Sequence, residues 1–155
     1  RQKDAIAKKA AELIKENSTV FIDASSTSLH MAPYLADKKH ITIYTYSARL
    51  CETLAQYGVN NVYCLGGFYK ATSKVFTGEY AVGMAQKVYY DYFFFSSSGF
   101  SDGIISDYST EETHIRRVVL GNSELKYFLC DSGKFGKHSA NILCRETEIS
   151  GIISE

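Results

Sequence analysis

The stretch 19–27, TVFIDASST, decides how the rest of the chain is read. Its first part, TVFIDA (19–24), is β-branched and aromatic, with apolar side chains at successive positions and therefore on both faces. A strand apolar on both faces belongs inside a sheet covered on both sides, the setting of parallel strands. Its second part, DASST (23–27), turns abruptly to a carboxylate, a small residue and three hydroxyls. That composition suits a turn, and it also suits a loop whose backbone approaches an anion closely.

Working outward, the same alternation recurs. Ile6, Ala10, Leu13 and Ile14 fall at helical spacing and predict an amphipathic helix over about 4–16, with Asn17 able to end it in the left-handed conformation. ITIYTY (41–46) and NVYCL (61–65) read as two more buried strands, with helical patterns over 26–36 and 47–56 between them. Pro33, the only proline, should interrupt the first of these helices. A further helix is predicted at about 78–88, then the aromatic strand YDYFFFS (90–96). Ser109 and Glu112 have the spacing of a capping box and open a helix with Ile115, Val118 and Val119 inward. KYFLC (126–130) and the short SGIIS (150–154) complete the strands. Strands alternating with helices imply a parallel sheet with right-handed crossovers. The expected fold is α/β, a mainly parallel twisted sheet with helices on both faces, and residues 1–155 form a single domain.

Composition narrows the function. Lys and Arg number 17, as do Asp and Glu, so the net charge is zero. The basic residues are dispersed and make no stripe for a phosphate backbone, so DNA binding by this chain alone is not expected. No segment approaches the ~20 apolar residues of a membrane span, which points away from a membrane and to the cytoplasm. Cys51, Cys64, Cys130 and Cys144 stand singly in apolar segments, without a C-x-x-C pair, and read as buried free thiols in a reducing compartment. The histidines show no ligand spacing, and neither a metal nor a cofactor is expected. Twelve tyrosines and nine phenylalanines are enough to place some at a self-association surface, so a homo-oligomer is expected.

Five segments follow strands: DASST (23–27), TYS (45–47), LGG (65–67), SSSG (96–99) and DSGKFG (131–136). In an open parallel sheet, ligands bind beyond the carboxyl ends of the strands. All five segments carry small hydroxyl residues, glycine or charge, and Lys134 adds a point charge suited to phosphate. Simpler readings stand beside this one. Ser26, Thr27 and Ser47 each suit a helix cap. Glu112 suits the capping box and an i+4 pair with Arg116. Asp102, in SDG, suits a turn.

In this order the motifs resemble the C-terminal effector domain of the DeoR family of bacterial sugar-responsive repressors. The family's Asp-x-Gly-Thr-Thr-like turn is matched by DASST, its Thr-Asn-Ser by TYS, and its Leu-Gly-Gly by LGG. Its Ser-Gly after the aromatic strand is matched by Ser98–Gly99, its Glu-Ala-x-Val-Lys-like segment by ETHIR (112–116), and its Asp-Ser-Ser-Lys-Phe-Gly by DSGKFG. The resemblance covers essentially the whole chain. It implies a ribose-5-phosphate-isomerase-like fold that senses a phosphorylated sugar or related metabolite without converting it. DNA would be reached only through an N-terminal winged helix-turn-helix that this chain lacks. It implies effector contact at Asp23, Ser26, Thr27, Ser47, Ser98, Gly99, Glu112, Arg116 and Lys134, and Asp102 is taken as a candidate with them.

Four positions depart from the family pattern: Ser25 stands for Gly, Tyr46 for Asn and Arg116 for Lys, and Glu79 follows Gly78 where a proline is common. Ser25 would hold a phosphate farther from the backbone, and the Tyr46 ring would narrow the pocket or stack on a ligand. Two rival readings remain open. One is an aldose–ketose phosphate isomerase, whose Asp-Gly-x-Asp-Glu-like and Lys-Gly-x-Gly-Gly-like segments are matched by neither SDGIISD (101–107) nor GKFGK (133–137). The other is an oligomerisation domain with a degenerate pocket.

Overall fold

The computed structural model describes all residues, 1–155. Helix α1 (Gln2–Glu12) is followed by a turn and by Asn17 at φ 65°, the left-handed conformation expected of it. Strand β1 (Thr19–Ile22) leads into two short helices, α2 (Ser26–Leu29) and α3 (Ala32–Leu35), where the pattern predicted one. Pro33 lies in the first turn of α3, where its missing N–H is no loss. Strand β2 (Thr42–Thr45), helix α4 (Ala48–Gln56) and edge strand β3 (Val62–Cys64) follow. Next come a hairpin of β4 (Phe68–Lys70) and β5 (Val75–Thr77), helix α5 (Glu79–Ala85) and the aromatic strand β6 (Tyr90–Phe95). The last third holds β7 (Gly99–Ser101), β8 (Ile104–Asp107), helix α6 (Thr110–Gly121), β9 (Ser123–Leu129), β10 (Asn141–Arg145) and β11 (Gly151–Ile153).

Six strands form the central sheet in the order β11-β9-β6-β1-β2-β3, and every pairing in it is parallel. Two small antiparallel sheets, β4-β5 and β10-β8-β7, were not foreseen. Their strands are short and several are exposed, so no apolar alternation marks them.

The doubly apolar strands sort their side chains by parity. Val20, Ile22, Tyr92 and Phe94 meet Ile6, Ala10, Leu35 and Leu54 from α1, α3 and α4 on one face. Phe21, Phe93 and Phe95 meet Ala81, Val82, Ile115 and Val119 from α5 and α6 on the other. The second face is the aromatic one, with Phe21 and Phe93 edge to face at 5.5 Å. Burying each such ring contributes about 1.5–3 kcal/mol relative to exposure.

Strand order reverses at β1: the chain runs outward through β2 and β3, then returns to place β6 on its other side. The loops after β1 and β6 therefore diverge, leaving a crevice at their carboxyl ends. Cys130 and Cys144 are buried as expected, whereas Cys51 on α4 and Cys64 on β3 are only half-buried.

Candidate functional site

A cleft of about 330 Å³ opens at that crevice. The loop after β1 contributes Ala24, Ser25, Ser26 and Thr27, and the loop after β6 contributes Ser96, Ser97 and Ser98. The end of β8 and the first turns of α6 supply Asp107, Tyr108, Ser109, Glu112 and Arg116. Ser73 and Val75 enter from the β4-β5 hairpin, and Lys134 from the loop after β9. Eight of these fifteen residues are serine or threonine, so the walls are dominated by hydroxyls that donate and accept.

Beneath the cleft lies a buried charged network. Arg116, 2% exposed, donates from Nη1 to the Ser96 carbonyl at 2.6 Å and to Asp23 Oδ2 at 3.4 Å. Its Nη2 donates to Asp107 Oδ2 at 2.5 Å, and its Nε to the Glu112 carbonyl at 3.4 Å. Desolvation disfavours the Arg116 charge, but the carboxylates of Asp23 and Asp107 outweigh it and hold the guanidinium protonated. Asp23 also accepts from the Ser96 amide at 2.9 Å, the Ser25 amide at 3.1 Å and the Ser28 hydroxyl at 2.6 Å. One carboxylate thus ties the end of β1 to the end of β6 and orders the first loop.

Six of the ten candidate residues line the cleft: Ser26, Thr27, Ser98, Glu112, Arg116 and Lys134. The other four are placed otherwise. Asp23 lies below the cleft as the organiser just described. Ser47 caps α4, accepting from the Leu50 amide at 3.0 Å, and its backbone bridges to Val75. Gly99 is buried on β7, where a Cβ would stand 2.6 Å from the Lys137 carbonyl oxygen. Its bareness lets the segment carrying Lys134 dock against β7. Asp102 is exposed in the β7-β8 turn at φ 53°, beside Gly103 at φ 75°. An Asp-Gly pair with both φ positive suits a tight hairpin and removes Asp102 from the site.

Other expectations shift in detail. The cap of α2 is Ser25, whose hydroxyl accepts from the Ser28 amide at 3.1 Å, rather than Ser26 or Thr27. Thr27 and Lys134 make no side-chain hydrogen bond within the protein. Ser109 caps α6, but the Glu112 carboxylate does not complete the box. It accepts instead from the Tyr46 hydroxyl at 3.0 Å, and its link to Arg116 runs through the backbone carbonyl. Tyr46 is fully buried in the aromatic core, so its ring does not stack in the cleft. Burial pushes Tyr46 well above the usual tyrosine range and Glu112 above the usual carboxylate range, with Arg116 opposing in both cases. Of the five segments, TYS and LGG do not reach the cleft. They pack against β5 and α5, where a Cβ on Gly67 would meet the Thr77 carbonyl oxygen at 2.6 Å.

Asp107, Ser73 and Tyr108 belong to the cleft and were not foreseen. Asp107 had one signal, its position just before the capping Ser109 of the helix that bears Arg116. Ser73 comes from a hairpin that the pattern did not show.

The family model for the DeoR C-terminal sensor domain matches residues 1–155. A lactose phosphotransferase system repressor from Staphylococcus epidermidis is 29% identical over 156 residues, covering 99% of this chain and 62% of the relative. An uncharacterized HTH-type transcriptional regulator from Haemophilus influenzae is 25% identical, covering 99% and 60%. The chain thus spans about three-fifths of the length of these curated relatives. Among solved structures, eIF2B delta from Chaetomium thermophilum superposes with a TM-score of 0.71 at 15% identity, covering 99% of this chain and 55% of that one. Ribose 5-phosphate isomerase A from Methanocaldococcus jannaschii superposes with a TM-score of 0.62 at 14% identity, covering 86% and 53%. At these identities the structural likeness carries the fold alone.

Proposed function

The chain belongs to the family of DeoR C-terminal sensor domains, and from that premise we propose that its cleft binds a phosphorylated sugar or related metabolite. Occupancy would modulate DNA binding by a domain outside this chain, in a cytoplasmic repressor of sugar metabolism like the relatives it matches. The observation that carries the reading is the lining of the cleft, eight hydroxyl side chains around one unpaired ammonium. Hydroxyls and the rim carboxylate of Glu112 suit the alternating donors and acceptors of a polyol, and Lys134 suits a phosphate.

The domain is a sensor rather than an enzyme, and the spending of its carboxylates fits that role. Moving a proton between neighbouring carbons needs a carboxylate free to reach both. Asp23 and Asp107 are bound to Arg116, and Glu112 accepts from Tyr46.

Self-association belongs to the same reading. Tyr63, Phe68, Tyr69, Tyr80 and Met84 are exposed on β3, the β4-β5 hairpin and α5, and light scattering checks it. Thermal-shift measurements with sugar phosphates beside the matching unphosphorylated sugars test the function. A ligand at a hundred times its Kd stabilises by about 2.7 kcal/mol. Selective stabilisation by a phosphorylated sugar is expected. Turnover of that sugar followed by NMR would replace the sensor with an isomerase, and no shift across the series would mark a degenerate pocket.

A further inference from the structure

Two of the four cysteines form a pair that their spacing in the sequence conceals. Cys51 lies within α4, and Cys64 ends β3, the edge strand of the sheet. The register of β3 sets Cys64 beside Thr45, and the chain turns from Thr45 through Ser47 directly into α4. Thr45 shares the sheet face of Ile43, which packs under Leu50 and Leu54 of α4, so Cys64 faces that helix and the two thiols become neighbours that perturb each other's acidity; both are half-buried, open to a small reagent. Cys130 and Cys144 differ. Both are buried in the aromatic core, and desolvation pushes their thiols up to about 11 and about 12. At neutral pH those two present almost no thiolate, the form that reacts.

We propose that Cys51 and Cys64 are a dithiol–disulfide site, oxidised by low-molecular-weight disulfides such as oxidised glutathione. The Cys51 thiolate attacks one sulfur of the small disulfide, forming a mixed disulfide and releasing the other half as a thiolate. Cys64, its proton lost to solvent, then attacks Cys51 Sγ, forming the Cys51–Cys64 bond and expelling the second half as a thiolate. The released thiolates take up the two protons that the cysteines lose. Two protein thiols are oxidised and one small disulfide becomes two thiols. The hydrogen bond from Cys64 lowers the Cys51 thiol below its usual range and raises that of Cys64, which fits Cys51 as the attacking sulfur. Closing the bond would bring the two sulfurs to about 2 Å. The bond would staple the edge strand to its covering helix, closing the chain between residues 51 and 64. It does not depend on what the cleft binds.

The test incubates the 155-residue chain with oxidised glutathione, blocks the remaining thiols and digests with trypsin. Trypsin cuts after Arg49 and Lys70, so both cysteines fall on the peptide 50–70. That peptide should lose about 2 Da, the two hydrogens of the oxidised pair, while Cys130 and Cys144 remain blockable thiols. Cys64→Ser should instead accumulate glutathione on Cys51, because the resolving thiol is gone. The oxidised wild type should melt higher than the reduced protein, and Cys51→Ser should show no such shift. A wild-type protein that keeps glutathione on Cys51, that oxidises Cys130 or Cys144 first, or that stays fully reduced in an oxidising glutathione buffer would overturn the proposal.

Discussion

At the floor of the cleft Arg116 is 2% exposed and joined to two carboxylates and two carbonyls, whereas at the rim Lys134 is half-exposed and in no ion pair. Of its two partner carboxylates, Asp107 ends the strand just before α6 and Asp23 lies 93 residues upstream, and the planar fork of Arg116 is engaged in holding both. Lys134 sits in a loop that lies against β7 because Gly99 there carries no Cβ, and its ammonium is free to meet a ligand. The guanidinium is a structural element that borders the cleft, and the ammonium is the group we propose for recognition. Charge alone does not separate them; burial and existing partners do.

The largest effect that would break this comparison is on stability at the floor. Arg116→Met should cost about 3–5 kcal/mol, because it leaves Asp23 and Asp107 with uncompensated buried charge. Urea unfolding measures it, and a loss under about 1 kcal/mol would place the network outside the folding core.

Lys134→Ala should leave stability within about 0.5 kcal/mol. It should weaken a phosphorylated ligand by about 1.5–3 kcal/mol, the range of a hydrogen bond to a charged group, and the unphosphorylated sugar far less. Calorimetric titration of both ligands separates recognition from loop shaping, since equal losses would assign Lys134 the second role.

A smaller change sharpens the floor itself. Tyr46→Phe removes the hydroxyl that serves Glu112 and should cost about 1.5 kcal/mol in the same unfolding measurement.

The smallest effect is a pH slope. Burial raises the Glu112 carboxyl above its ordinary 4.5. Its contribution to stability is therefore fully present below about 4.5 and is lost as pH rises through the raised value. Unfolding midpoints of wild type and Glu112→Gln at pH 4.5 and 7 should show the wild type declining relative to the variant by less than about 1 kcal/mol, since the group is partly solvated.

Much of this molecule is legible in its residues. TVFI, ITIYT and YDYFFF are apolar at consecutive positions, and a strand of that kind has only one stable home, a sheet covered on both faces. Their carboxyl ends then carry the polar residues, because a parallel sheet puts those ends on one edge. That logic puts the segments of Ser26, Thr27, Ser98 and Lys134 on the edge where the cleft opens. Ser47 and LGG follow strands of the same sheet, yet they serve β5 and α5, because a strand end predicts an edge and not a neighbour across it. Asp102 was drawn in by its charge, although the Asp-Gly pair it belongs to is itself a hairpin signal.

The sequence by itself determined the parallel sheet, the sorting of its two faces and the edge on which the cleft opens, because local pattern and strand parity set those. The tertiary structure alone decided which residues share the cleft. Asp23, Asp107 and Arg116 are up to 93 residues apart in the chain, and their pairing exists only once β1, β6, β8 and α6 have converged. The same holds for Cys51 and Cys64, separated by a helix and a turn, which become neighbours because the register of β3 on β2 turns Cys64 toward α4. Contacts of this kind depend on the relative placement of packed elements, and no local periodicity encodes that placement.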